Sequence, residues 1–311
     1  MSQQTIIKTK DLTKSYGNFI AVDKLNLRID EGETFGFLGP NGAGKTTTLL
    51  MLLGLTEPTS GTVQVCGYNP TKEPIKVKRV VGYLPEKVGF YEDLTAKQNL
   101  EYTAQLNNLP WEQIPGKIDE LLNSVGLLDV KDKVVGQFSH GMKQRLGIAD
   151  VMIKDPKIIY FDEPTSGIDP QGTEEILDLI SGMAKKKITA IISSHQLHHV
   201  QKVCSRIGII VKGRLVVEGP IDRLGRETIA GGKFLIEAQA SPITNNLVET
   251  LKNIKGVIKV ESSDNLLLIT CEEDLRSQIS KTIVESNSML TGVKIEEYGL
   301  EEIYMKYFRE S

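Results

Sequence analysis

Three short runs in the first two thirds of the chain are almost wholly apolar: Phe35–Leu38 (FGFL), Ile158–Phe161 (IIYF) and Ile188–Ser193 (ITAIIS). Runs of this length without polar alternation predict strands of a parallel sheet covered on both faces. Apolar helical segments and short Gly- or Pro-containing connections lie between them, so about the first 220 residues read as an α/β unit. The pattern breaks at Gly219–Lys233 (GPIDRLGRETIAGGK), where glycines and polar residues interrupt the periodicity. Beyond it the chain reads strand 233–238, helix 243–254, strand 256–262, turn 263–265, strand 266–271, helix 274–287 and strand 292–298. That βαββαβ order is the split pattern of ferredoxin-like folds. An amphipathic piece, LEEIYMKYF, follows. The expectation is a first domain over 1–225 and a small α+β domain over 231–311, with no internal repeat or low-complexity tract.

Composition narrows the classes. A length of 311 residues suits two domains, and 40% hydrophobic with 25% charged residues is ordinary for a soluble globular protein. The net charge of −3 argues against a surface built for nucleic acid, and none is expected as a partner. The opening MSQQTIIKTKDLTKSYG lacks the apolar core of a secretory signal, and no run reaches the ~18 apolar residues of a membrane span. Any membrane role must therefore come through a partner. Cys66, Cys204 and Cys271 fit no zinc spacing and sit among Val, Ile or Leu, as buried free thiols do in a reducing cytoplasm.

The strongest chemical signal is Gly39-Pro40-Asn41-Gly42-Ala43-Gly44-Lys45-Thr46-Thr47, between an apolar strand and an apolar helix. It satisfies G-x-x-x-x-G-K-[ST] in the strand–loop–helix setting the motif requires. The glycines let backbone N–H groups turn inward around an anion, the helix start adds its positive dipole end, and Lys45 brings a full charge. Thr46 supplies a hydroxyl for Mg²⁺. Asp162, closing the strand that starts at Ile158, would hold the metal through water. Glu163 points the other way and offers a carboxylate to orient or deprotonate an attacking water. His195 follows the third strand, where a neutral imidazole would be expected to bridge the γ-phosphate and the water-side carboxylate. His195 and His199 also have the i, i+4 spacing of metal ligands, but no third ligand is near, and His198 and His199 are expected at the surface.

Phe138–Arg145 (FSHGMKQR) raises a separate question. Ser139 suits a helix N-cap, and a helix over roughly 141–153 would aim its first N–H groups outward. This is either an ordinary helix start or half of a phosphate site completed by a second molecule. Lys143 is expected as a solvated helix charge.

Taken together, these segments resemble the ATP-binding cassette (ABC) ATPases over residues of about 5–220. KSYGNFIAV, GPNGAGKTT, GYLPEKVGFYEDLT, FSHGMKQR, YFDEPTSGIDP and SSH stand in the family's order. The resemblance implies a P-loop NTPase cassette with a mixed sheet and a helical subdomain at about 87–155. It implies ATP and Mg²⁺ as ligands, with Tyr16 stacking on adenine. The nucleotide set it implies is Tyr16, Val22, Gly39, Asn41, Gly42, Ala43, Gly44, Lys45, Thr46 and Thr47. The metal set is Thr46, Glu86 and Asp162, and the catalytic set is Lys45, Glu163 and His195. In the family two cassettes face head to tail, so Ser139, Gly141 and Asp169 are expected to serve a second cassette. His140 and Met142 depart from the usual LSGGQ signature, and Glu86 stands where many relatives carry glutamine. Both departures resemble the exporter branch.

The function implied is ATP hydrolysis powering export through a separate membrane permease. The cassette would pair with itself or a close paralogue on the inner face of the cell membrane. The alternatives weighed are a soluble cassette ATPase without a transporter, an importer cassette and a non-catalytic ATP sensor. A soluble factor usually carries two cassettes or a coiled-coil insertion, which this chain lacks, and an idle sensor need not keep Glu163 and His195.

Overall fold

Five parallel strands position the phosphate loop. In space they run Arg206–Val211, Thr34–Leu38, Thr189–Ser194, Ile158–Asp162 and Val81–Leu84, with Arg214–Pro220 completing the sheet beside Arg206–Val211. The structure is a computed structural model and describes residues 4–229, 231–295 and 300–309. Every residue of Thr34–Leu38 and Thr189–Ser194 is buried, as a sheet covered on both faces demands. The register pairs Leu38 with Ser194 and Asp162 with Ser193. The ends of three strands therefore meet at one edge, the carboxyl edge where open α/β sheets bind ligands.

A second, antiparallel sheet is built on the long strand Thr5–Tyr16, which pairs with Phe19–Leu25, Arg28–Asp30 and Ser60–Val65. Leu12, Val22, Leu25, Ile29, Val63 and Val65 share one core with Phe35, Phe37, Tyr160 and the helix residues Leu49, Met51 and Leu52. Each large side chain so buried contributes about 1.5–3 kcal/mol, enough to fix the loop between the layers. Three helices, Ala96–Leu106, Ile114–Ser124 and His140–Met152, intervene between Val81–Leu84 and Ile158–Asp162 and pack on one another. The first is held by a capping box between Thr95 and Gln98.

The chain divides into two compact units between Glu218 and Gly219. The second unit contains an antiparallel sheet in the order Val257–Ser263, Leu266–Cys271, Phe234–Ser241, Met289–Ile295. Helices Asn245–Lys252 and Arg276–Glu285 supply Leu247, Leu251, Ile279 and Ile283 to its core. This is the βαββαβ order in a split-βαβ arrangement. Residues 296–298 of the expected last strand lie outside the described residues. One reading needs correcting: the break at Gly219–Lys233 contains a helix, Ile221–Ile229, which buries Ile221 and Leu224 on one side. Its apolar positions do share one face, but Gly225 within it, the glycines around it and a largely polar composition mask the helix in the sequence.

Cys204 and Cys271 are buried and Cys66 half-buried, all free. Burial pushes the Cys66 and Cys271 thiols up to about 11. Among the described residues no helix is long and apolar enough to cross a membrane.

Candidate active site

The phosphate loop leaves the central strand at Gly39 and enters the helix Lys45–Leu52. Gly44 has a φ of 108°, and a Cβ there would stand 2.4 Å from the Ala21 carbonyl oxygen. Backbone conformation and space both exclude a side chain. The helix start has no side-chain cap, so its first N–H donors remain for an anion. Lys45 is only 6% exposed, and its Nζ donates to the carbonyl oxygens of Gly39 (2.6 Å) and Pro40 (3.2 Å). Burial pushes this ammonium below the usual lysine range, while Glu163 and Asp162 pull it back up. A desolvated cation held by neutral carbonyls suits a polyphosphate.

Beside the loop, Thr46 Oγ1 lies 3.4 Å from Asp162 Oδ2, which also accepts from the Tyr83 hydroxyl at 3.4 Å. Ser193 Oγ donates a short hydrogen bond to Asp162 Oδ1. This all-oxygen set of hydroxyl and carboxylate fits a hard divalent cation such as Mg²⁺. Glu86 accepts from Ser166 Oγ at 3.3 Å, in the turn that follows Asp162 and Glu163.

Glu163 follows with a φ of 48°, in the left-handed region that a non-glycine residue seldom occupies. Its N–H donates to the Ser193 carbonyl at 2.9 Å, which pins the turn to the neighbouring strand. The carboxylate accepts from Ser194 Oγ at 3.1 Å and from the His195 N–H at 3.4 Å. The same oxygen, Oε2, meets His195 Nδ1 at 2.9 Å. The glutamate side chain is 13% exposed and the imidazole 54%, so a sheltered carboxylate carries a ring that reaches outward.

The FSHGMKQR segment forms a capped helix start. Ser139 Oγ accepts from the Met142 N–H at 3.2 Å, and the helix runs His140–Met152. A Cβ on Gly141 would meet only Ile168 Cγ2, at an ordinary 3.5 Å, so nothing among the described residues requires glycine there. Asp169 caps the helix Pro170–Lys185 by accepting from the Gly172 N–H at 2.9 Å. Lys143 is not simply solvated: it pairs with Glu92 at 2.6 Å. Arg145 donates to the Val125 carbonyl and pairs with Glu175.

Tyr16 is half-exposed beneath the Lys14 ammonium, 5.0 Å from its ring centre. Val22 is fully buried, and its Cγ2 would lie 3.3 Å from a Cβ on Gly44, so it supports the loop from below. Asn41 and Gly42 are exposed, Ala43 is buried and Thr47 half-buried. His198 is exposed, whereas His199 is half-buried: its Nδ1 lies 3.1 Å from Thr165 Oγ1, and burial lowers its pKa. No metal-binding cluster of His, Cys, Asp and Glu occurs among the described residues. Tyr83, Ser193, Ser194, Gln144 and Ser166 lie within the quoted motifs, but their partners there are not apparent from the sequence. Strand register and helix facing bring them to the site, and neither is written in a local motif.

Residues 22–166 match the profile of the family described as ABC transporter. The chain is 38% identical over 304 residues to the bacitracin transport ATP-binding protein BcrA of Bacillus licheniformis, covering 97% of both chains. It is 31% identical over 306 residues to the linearmycin resistance ATP-binding protein LnrL of Bacillus subtilis, covering 96% of this chain and 97% of that one. Among solved structures it resembles a dimeric ATP-binding cassette in a post-hydrolysis state bound to ADP and Pi. That likeness has a TM-score of 0.63 at 27% identity, over 69% of this chain and 98% of the other.

Proposed function

The chain belongs to the ABC transporter ATP-binding family, and on that premise we propose that it drives export through a separate permease by closing head to tail on a second cassette. The family's ATP-binding subunits hydrolyse ATP, work with membrane permeases and dimerise. The observation that carries the reading is the convergence of Lys45, Asp162 and the Glu163–His195 pair at one sheet edge. The names of BcrA and LnrL, matched over nearly the whole chain, support export.

In this reading Lys45 moves from the Gly39 and Pro40 carbonyls to the β- and γ-phosphates. Thr46 and Asp162 would hold Mg²⁺, which offsets phosphate charge when bound. Glu163 aligns or deprotonates the water, and the His195 ring, braced through Nδ1, presents its opposite edge to the γ-phosphate. Ser139 and the open helix start beside it complete the site of a second cassette, which is this chain or a close paralogue. Because each ATP would touch both cassettes, binding favours the closed dimer and hydrolysis removes that bias. The unit from Gly219 onward serves as an accessory module, and the assembly sits on the inner membrane face through its permease.

Glu163→Gln tests the reading by gel filtration with and without ATP. The variant should bind ATP, stop turning over and run as a dimer. Persistence as a monomer with continued hydrolysis would remove Glu163 as the base.

A further inference from the structure

His140 stands where the resembling family commonly has glycine, and it is occupied. Its Nε2 lies 3.0 Å from the carbonyl oxygen of Ser166. Ser166 in turn donates its N–H to the carbonyl of Glu163 at 3.1 Å, closing the turn that follows the catalytic strand. One helical turn on, Gln144 donates Nε2 to the Pro164 carbonyl at 3.2 Å, inside the same turn. His140 and Gln144 are at i, i+4, on one face of the helix. Gln144 is fully buried, and its Oε1 has no hydrogen-bond partner among the described residues. The amide is thus kept although its carbonyl oxygen goes unpaired. The hydroxyl of Ser166 reaches Glu86 on a third element.

We propose that His140 is a positioning residue: with Gln144 it grips the turn Glu163–Ser166, so that the helix start serving one ATP sets the aim of the water-side carboxylate at the other. The inference rests on the head-to-tail reading above and adds a connection within one chain. The path is short, from imidazole to the Ser166 carbonyl, from the Ser166 N–H to the Glu163 carbonyl, and from there to a carboxylate already held in a left-handed turn. Movement of the Ser139–Gly141 end on closing over a partner's nucleotide is passed to Glu163 through hydrogen bonds. Glycine at 140 has no donor to make the first of them.

The test uses the full chain in steady-state ATP hydrolysis, with His140→Gly, His140→Ala and His140→Gln. His140 is exposed, so all three should fold, and unfolding midpoints are read alongside. Loss of the donor should lower kcat by about 3- to 10-fold, the equivalent of one hydrogen bond, with KM within twofold. Glutamine, whose amide can donate from a similar reach, should recover most of kcat. An unchanged kcat in His140→Gly, or a glutamine variant no better than glycine, overturns the proposal. So does a loss of ATP-dependent dimer formation when His140→Gly is added to Glu163→Gln, because that would place the imidazole on the nucleotide instead. If Glu163→Gln forms no dimer with His140 intact, the head-to-tail reading fails first, so the two failures are separable.

Discussion

Glu163 Oε2 and His195 Nδ1 lie 2.9 Å apart, and the carboxylate is the sheltered member of the pair. The Ser194 hydroxyl and the His195 N–H hold the same oxygen, so the ring is tethered at its base and open at its tip. His195→Ala should therefore lower kcat by about 10²-fold, at the lower end of the effect of one positioned proton-transfer or orienting group. ATP affinity of the single chain should stay within twofold. Nucleotide titration beside single-turnover hydrolysis checks both, and an equal loss in binding would move His195 from chemistry to nucleotide capture.

Lys45 gives a pH signature. Its ammonium is depressed by burial, so between the depressed value and the usual ~10.4 the unfolded chain binds the extra proton and the fold gains stability as pH rises. Below both values that penalty is fully present. Lys45→Met should therefore keep or raise the nucleotide-free melting temperature near neutral pH, while removing the rise in melting temperature that ATP confers. Calorimetry with and without ATP measures both effects. A variant that melts early and still responds to ATP would contradict the assignment.

The phosphate loop, the Asp162–Glu163 pair and the second-unit topology were legible because each is local. Gly44, Lys45 and Thr46 are fixed by spacing, and the βαββαβ order by alternating periods. The Glu163 turn was not legible, since its φ of 48° is set by a hydrogen bond to Ser193, thirty residues on. Val22 illustrates the opposite limit: its place in a motif suggested nucleotide contact, but the fold buries it under Gly44. Lys143 looked solvated because its partner, Glu92, lies far away in sequence. The helix Ile221–Ile229 was hidden by Gly225 and the glycines flanking a largely polar segment.

Ser139 combines two roles that substitution can separate. Its hydroxyl caps the helix, so Ser139→Ala should lower stability by about 1 kcal/mol and also reduce ATPase activity. Aspartate caps equally well but would set a negative charge against the partner's γ-phosphate. Ser139→Asp should therefore melt like the parent chain and bind ATP as a monomer, yet lose turnover by at least about tenfold through like-charge repulsion. If Ser139→Asp hydrolyses ATP normally, Ser139 is only a cap.

The two units have separate cores, one around Phe35, Phe37 and Leu49 and the other around Ile236, Leu267 and Ile279. No described phosphate-site residue comes from beyond Glu218. A chain ending at Pro220 keeps the strand Arg214–Pro220 and all of Lys45, Asp162, Glu163 and His195. It should bind ATP within about twofold of the full chain, a difference under 0.5 kcal/mol. Turnover and dimer formation in Glu163→Gln can then be compared between the two lengths. Equal behaviour assigns the second unit to the permease or another partner, whereas weaker dimerisation of the short chain assigns it to cassette pairing. Loss of ATP binding itself would show that the nucleotide site depends on the second unit and that the boundary at Glu218 does not separate independent functions.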